Sequence, residues 1–557
     1  MVQGILRSLT TSIRGLHQAA YLLAGLTLAS QILSLLRDRI FADAFGASIT
    51  LDLYYAAFRI PDLVFALIAS LVSAYVLIPR IAAKNQAASQ SLLSNAASFL
   101  VLGGGVFALV LAVWMPQLLA LFFPGLAGTE GFVDLARILL LQPILLGLSG
   151  IFTSVTQVER RFVLFALSPV LYNVGIIFGT VFLYPAYGLP GIGVGVVLGA
   201  LAHLLIHIPV VAGAKLMPKP VIPDTGIMWS VVKDSVPRSL ALSFGAFTTL
   251  ALTAIAATTG EGGVSVYTLA GNLAAVPLAL IGASYATAAF PVLAEEAQGN
   301  RMDSFKATLS AAARHLIFWS VTAALLTIVL RAHLVRVILG SGAFDWDATR
   351  LTAAILGVLI VGLVAQGLVL LASRAFYAAR RSWNPLAIQV IGLAISAAGA
   401  LFFLALSREV PLFKDFIEAL LRVEGIAGTS ILFVALGATV GQLFMGALAL
   451  ATLGRVAPGV AASLVRPLFE GAGAGMVGAS AAYSVLAVAG NIAPLTTVLS
   501  VFTQGLVAGM VGLAASAAVL VLLENREFRD LYASLRRLTS ARALTPAGTV
   551  LNDQANP

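Results

Sequence analysis

Along most of this chain apolar residues fill whole windows of twenty or more positions, interrupted by short polar or turn-rich breaks. Runs of that kind have no polar face to give to water. About twenty apolar residues in a helix match the ~30 Å hydrocarbon core of a bilayer. Cutting at the breaks predicts fourteen spans, near residues 19–45, 52–83, 92–123, 132–158, 162–184, 188–214, 229–258, 264–297, 310–340, 348–379, 384–407, 425–454, 464–490 and 497–523. Residues are 60% hydrophobic and only 10% charged, over a length of 557. No aqueous core could absorb that much apolar surface, so the expected fold class is an all-α polytopic membrane protein of about fourteen transmembrane helices.

The longest break, AKLMPKPVIPDTGIMWSVVK from Ala214 to Lys233, falls after six spans. Pro218, Pro220 and Pro223 remove backbone donors and favour extended chain, so this piece should run along the membrane surface. The chain therefore parses as an N-terminal lobe of six helices (1–213), a linker (214–233), a C-terminal lobe of six (234–455), two trailing helices (456–524) and a basic tail (525–557). Paired bundles of this kind commonly hold a substrate site at their interface. The sequence signal for an internal repeat is faint. Between Arg408 and Glu424, Phe413, Phe416, Ile417, Leu420 and Leu421 recur at helical spacing among charges, predicting an amphipathic helix on the outer face.

Charge changes the picture by orienting the bundle. With the N-terminus inside, 23 of the 33 Lys and Arg fall in inner connections and six in outer ones (Arg331, Arg336, Arg350, Arg408, Lys414 and Arg422). Cationic loops stay cytoplasmic, so both termini are expected in the cytoplasm. The net charge of +9 then follows from topology and attraction to anionic phospholipids, and it does not argue for nucleic acid. The absence of cysteine removes disulfides, thiolate metal sites and cysteine nucleophiles. The first apolar run is too long for a signal peptide and lacks a cleavage site, so it is expected to stay attached.

Four arginines, Arg37, Arg39, Arg59 and Arg137, remain within spans, and Arg37, Asp38, Arg39 and Asp43 crowd into the first. An ionised side chain at membrane depth costs at least ~2.5–3.5 kcal/mol, so such residues usually face protein or a hydrated cavity. Arg39 and Asp43, four apart, can pair on one face, whereas Arg37 and Asp38 point about 100° apart. Two readings stand: a self-paired cluster that orients the helix, or a cradle for phosphate or diphosphate, which the planar guanidinium fork suits. The next span carries Asp52, Arg59 and Asp62, with Pro61 expected to permit a kink beside the charges. His203 and His207 have the spacing of two ligands on one face, but without a zincin glutamate or thiolates they read as packed or cavity-lining. Gly191, Gly195 and Gly199, four apart, read as close helix packing in lipid, and Gly471, Gly473 and Gly475 likewise. No nucleophile and base occur together, so no enzyme is expected, and no cofactor or metal is called for.

RDRIFADAFGASITLDLYYAAFRIP, residues 37–61, resembles the opening of the MurJ/MviN family, bacterial lipid II flippases of the multidrug/oligosaccharidyl-lipid/polysaccharide exporter superfamily. Tyr267–Pro291 looks like the family's eighth helix, and Leu339–Leu356 with Ser373–Pro385 looks like its ninth and tenth. The resemblance implies a bacterial inner-membrane flippase that moves a polyprenyl-diphosphate-linked peptidoglycan precursor by alternating access. It implies Arg37 as the principal phosphate contact, with Arg59, Gln31, Asn272 and Arg374 as further substrate-binding candidates. Asp38, Asp52 and Pro61 would be gate or lobe contacts, the trailing helices a groove for the polyprenyl tail, and cell-wall synthesis proteins possible partners. Gln31, Phe65 and Asn272 stand where the family usually has Arg, which leaves room for another lipid-linked glycan, an amphipathic drug, or a scaffold that no longer transports. Spans 7 and 11 show no mid-helix carboxylate, so the sodium site of some members has no counterpart.

Overall fold

The computed structural model describes residues 16–72, 74–82, 85–492 and 497–529, so the predicted tail lies almost wholly outside the described residues. Among them every regular element is a helix. We number the long ones α1 (Leu16–Phe45), α2 (the bent pair Ile49–Leu67 and Ala69–Ile81), α3 (Gln86–Phe122), α4 (Phe132–Val158), α5 (Phe162–Tyr187), α6 (Leu189–Gly213) and α7 (Thr225–Ala257). The series continues with α8 (Gly263–Gln298), α9 (Met302–Ile338), α10 (Trp346–Ala378), α11 (Trp383–Glu409), α12 (Ile431–Leu453), α13 (Val460–Gly490) and α14 (Val498–Leu522). Twelve are long and apolar enough to cross a membrane, thirteen with α2. Helix α1 is set apart by four charges in its last nine residues, yet its thirty residues would span ~45 Å and complete the fourteen.

Buried side chains fall into three main apolar cores, and their placement shapes the molecule. One core draws on both halves, from Phe41, Tyr54, Leu119, Leu135 and Ile192 to Leu250, Leu269, Val335, Ile355 and Phe433. All of these lie toward the end where α1, α7 and α9 finish and α2, α8 and α10 begin. At the opposite end one core gathers Leu92, Ile151 and Val211 with Met228 and Val231 of α7, and the other gathers Leu293, Phe305, Phe376 and Leu453. The two halves thus share one large core at one end, hereafter the sealed end, and at the other they meet where α7 lies along α2, with Arg80 paired to Asp234 and the Ser235 hydroxyl donating to the Leu71 carbonyl. The six arginines and lysines expected in outer connections all lie at the sealed end, and Arg160, Arg161, Arg301, Arg380, Arg381 and Arg455 at the other, the basic end.

Lipid tails are as apolar as leucine, so helices in a bilayer associate through close backbone approach. Helices α5 and α6 meet on Gly175 and Gly179 against Gly195 and Gly199: a Cβ on Gly175 would lie 2.3 Å from the Gly199 Cα. This is the packing role expected for the Gly191–Gly199 series. Helices α11 and α12, six further along, repeat it, with a Cβ on Gly437 landing 2.1 Å from the Ala400 nitrogen. A second echo lies in the turns after α4 and α10. Arg160 and Arg380 both adopt φ of 55°, and the Arg161 and Arg381 amides both close back on the helix five residues upstream.

Helix α7 starts at Thr225, capped by the Asp224 carboxylate, inside the segment expected to be linker. The extended stretch before it is held to α3: Lys219, Val221 and Asp224 amides donate to Ser94, Ser98 and Asn95. The amphipathic segment forms a helix over Pro411–Leu421 that buries Ile417 and sets Phe413 against Phe433. Helices α13 and α14 pack on each other and on α9.

Candidate functional site

At the sealed end the connection after α1 meets those after α7 and α9. Its pivot is Asp52, 1% exposed in the first turn of α2. One carboxylate oxygen accepts from the Gly262 amide at 2.7 Å; the other accepts from the Ser265 amide at 2.7 Å and the Ser265 hydroxyl at 2.5 Å. Those donors belong to the first turn of α8, whose orphan amides favour an anion. The Ile49 amide donates to Glu261, and the Ala343 amide donates to the Asp43 carbonyl. Gly262 has φ +78° and Gly342 φ +55°, and a Cβ on either would lie under 3 Å from the backbone at Ala47 or Asp43. Only glycine fits both the backbone and the space.

Arg39 was expected to pair with Asp43. Instead its Nη1 donates to the Val337 and Ile338 carbonyls at 2.6 and 3.4 Å. These are unsatisfied acceptors at the C-terminus of α9, where a cation is favoured, so Arg39 pins the first half to the second.

One to two turns deeper the charges meet. Arg37, its side chain 17% exposed, grips Asp38 through Nε at 3.1 Å and Nη2 at 2.7 Å, and its Nη1 donates to the Asn173 side chain on α5 at 3.1 Å. Asn272 on α8 donates to the second Asp38 oxygen at 2.9 Å, so Asp38 joins the halves. Gln31 and Arg37 line a cavity of about 290 Å³ with Ser30, Ser34, Tyr172 and Asn173. Arg59 reaches Thr268 on α8 at 3.3 Å and holds Asp62 more loosely at 4.0 Å. Its Nε and the neighbouring Tyr55 hydroxyl are buried without a partner, while 43% of the Asp62 side chain is accessible.

Arg37, Asp38, Arg59, Gln31 and Asn272 are therefore gathered within reach of one another's neighbourhoods. Arg374 is not: it lies 28 residues after Trp346 along α10, ~42 Å from the sealed end and at the basic end, with its guanidinium over the Phe290 ring at 5.4 Å. Its place among the 23 cations of the inner connections already set it apart from Arg37. Pro61 does not make the expected kink among the charges. Lacking an N–H for the Ala57 carbonyl, it sits in the first turn of Arg59–Leu67 just after a break at Phe58, and the 41° bend comes at Ile68. Asn173, Thr268, Gly262 and Ser265 escaped notice in the sequence. Thr268 and Asn272, four apart in an apolar span, were the one available signal.

The histidines keep their bland role. His203 bonds Ser149, and His207, wholly buried, bonds Thr153 and Thr156. No group of three metal-ligating side chains occurs among the described residues.

A membrane-spanning helical bundle whose lobes share a core at one end and are joined across their seam by buried charges has the architecture of a membrane transport protein. The chain belongs to the family described as lipid II flippase MurJ, whose model matches residues 41–411. It is 27% identical over 391 residues to the lipid II flippase MurJ of Burkholderia cenocepacia, covering 67% of this chain and 76% of that one. With the probable lipid II flippase MurJ of Bdellovibrio bacteriovorus it shares 26% over 490 residues, 84% and 88% of the two chains. A solved structure of lipid II flippase MurJ in an inward closed conformation superposes with a TM-score of 0.71 at 19% identity, over 91% of this chain and all of that one. An inward-facing multidrug resistance MATE family transporter of the MOP superfamily follows at 0.62 and 16% identity, over 76% and 94%. Membership places the chain among transporters rather than enzymes.

Proposed function

We propose that this protein moves lipid II, a polyprenyl-diphosphate-linked peptidoglycan precursor, across the bacterial inner membrane by alternating access, with the sealed end outermost and both termini cytoplasmic. The observation that carries the reading is the Arg37–Asp38–Asn272 junction, a cationic fork held by an exchangeable carboxylate where the halves meet, directly beneath a closed gate. A diphosphate entering from the basic end takes the guanidinium from Asp38, because Asp38 offers Nε and Nη2 a single shared oxygen whereas a diphosphate offers each its own, with more charge. Asp38 then releases Asn272, and the link between halves loosens. Arg59, with one buried nitrogen unpartnered, supplies the next donor.

The gate must yield for the cycle to finish. Three charge-assisted bonds to Asp52, at ~1.5–3 kcal/mol each, are of the size of the ~5.5 kcal/mol that inverts a two-state population from 99:1 to 1:99. Bound substrate supplies that energy only through differential affinity for the outward-facing state, aided by the membrane potential on cationic groups. A second reading, export of another lipid-linked glycan, is favoured by the smaller arginine set: Asn272 and Gln31 are neutral, and Phe65 is 39% exposed where the family has a cation. Anionic phospholipids and cell-wall synthesis proteins are the partners this role would bring. The test is complementation of a flippase-depleted bacterium: the wild-type chain should restore growth while Arg37→Ala, at equal membrane level, should not. Failure of well-expressed wild type would reject lipid II as cargo.

A further inference from the structure

A second cationic cavity, remote from the seam, opens at the sealed end between α9, α10, the short helix Pro411–Leu421 and α13. Its volume is about 560 Å³, and Arg331, Arg350, Arg422 and His333 line it together with Trp346, Tyr483, Leu420 and Leu486. Each arginine spends part of its fork on backbone or on none: Arg331 donates to the Ile328 carbonyl at 2.6 Å, and Arg350 to the Arg422 carbonyl at 2.7 Å. Among the described residues no carboxylate lies within 4 Å of any of the three, although exposed Asp347 and Glu424 are close in sequence. The Arg331 side chain lies along Gly357, where a Cβ would come within 3.0 Å of its Cδ, so the glycine makes room for it.

Depth narrows the ligand. Arg331 stands seven residues before the end of α9 and Arg350 four after the start of α10, ~6–10 Å inside the helix ends. That is the boundary between headgroups and acyl chains, ~5–7 Å below the membrane surface. Trp346 and Tyr483 are the aromatic types that favour this layer, and Arg336 stacks on Trp346 at 5.5 Å. Uncompensated like charges around a cavity with apolar walls need an anion that carries its own hydrocarbon.

We propose that this cavity binds the phosphate of an anionic phospholipid from the leaflet at the sealed end, wedging it between the C-terminal half and the first trailing helix. Phosphate oxygens accept from Arg331 and Arg350, Arg422 covers the headgroup, and an acyl chain runs along Leu420 and Leu486.

The full chain carrying Ala487→p-benzoylphenylalanine, in nanodiscs of phosphatidylcholine with phosphatidylglycerol, should photocrosslink phosphatidylglycerol well above its share of the bilayer, read as a protein–lipid mass adduct. Arg331→Gln with Arg350→Gln should cut that adduct by about tenfold, since two charge-assisted contacts go. Arg422→Gln, at the exposed rim, should cut it by less without moving the melting temperature, which separates lost binding from lost folding. Arg455→Gln at the basic end should leave it unchanged. Equal crosslinking of the two lipids, or an adduct indifferent to the double substitution, would overturn the assignment. So would suppression of the adduct by millimolar inorganic phosphate added before irradiation that phosphatidylglycerol vesicles fail to reproduce, since the site would then take the free ion.

Discussion

Asp52 and Asp38 are both nearly inaccessible carboxylates at which the two halves touch, yet they are satisfied in opposite ways. Asp52 takes all its hydrogen bonds from the start of α8, two of them from backbone that cannot swing away. Asp38 takes its bonds from side chains, the Arg37 fork and the Asn272 amide, each able to rotate. A charge bound by a helix terminus holds one arrangement until the helix itself moves, whereas a charge bound by side chains trades partners. The contrast separates latch from sensor.

The sharpest way to break that distinction is Asp52→Ala, which leaves three donors facing a void at ~1–3 kcal/mol each. Cysteines at Ile49 and Glu261, free of background in a chain without its own, should be joined efficiently by a short bifunctional thiol reagent, and Asp52→Ala should reduce the yield severalfold. An unchanged yield would make Asp52 a bystander. Next in size, Gly195→Val forces a side chain into the Gly179 backbone and should cost ~1–3 kcal/mol, a melting temperature several degrees lower by calorimetry. Gly473→Val, with nothing within 4 Å, should leave it in place.

Asn272→Ala removes one neutral donor from Asp38 and should change transport by less than about tenfold, ~1 kcal/mol, well short of Arg37→Ala. Lipid II exposure at the outer leaflet measures the pair, and equal losses would mean that Asn272, not the fork, reads the ligand. Smallest of all, chelators should not alter transport, because His207 already spends both ring nitrogens, and His203 its Nδ1, on hydroxyls.

Span positions were legible because hydropathy needs only composition, and predicted limits such as 132–158 coincide with α4. The glycine stripes were legible at Gly191, Gly195, Gly199, Gly471 and Gly475, because small residues at fixed spacing have one cheap use in lipid, whereas Gly473, read the same way, faces open space. What was not legible depended on the third dimension. Arg374, counted among the inner cations, and Arg37, within a span, were both read as cavity cations, and the ~42 Å of helical rise from Trp346 to Arg374 puts one of them at the basic end. Arg39 looked like the partner of Asp43, and only the arrival of α9 offers it carbonyls from 298 residues away. The gate itself was half visible: Asp52 stood out as a carboxylate without an in-helix partner, but two of its three donors are backbone amides, which carry no sequence signature.

The central claim is that Asp38 occupies the fork that a lipid diphosphate must take. The most direct measurement is binding of lipid II to the purified protein in its wild-type, Asp38→Asn and Arg37→Ala forms, each verified as folded. Asp38→Asn should bind more tightly than wild type, by roughly the tenfold that a ~1.4 kcal/mol weaker competitor allows, and Arg37→Ala should bind far more weakly. Equal affinities across all three would contradict the claim.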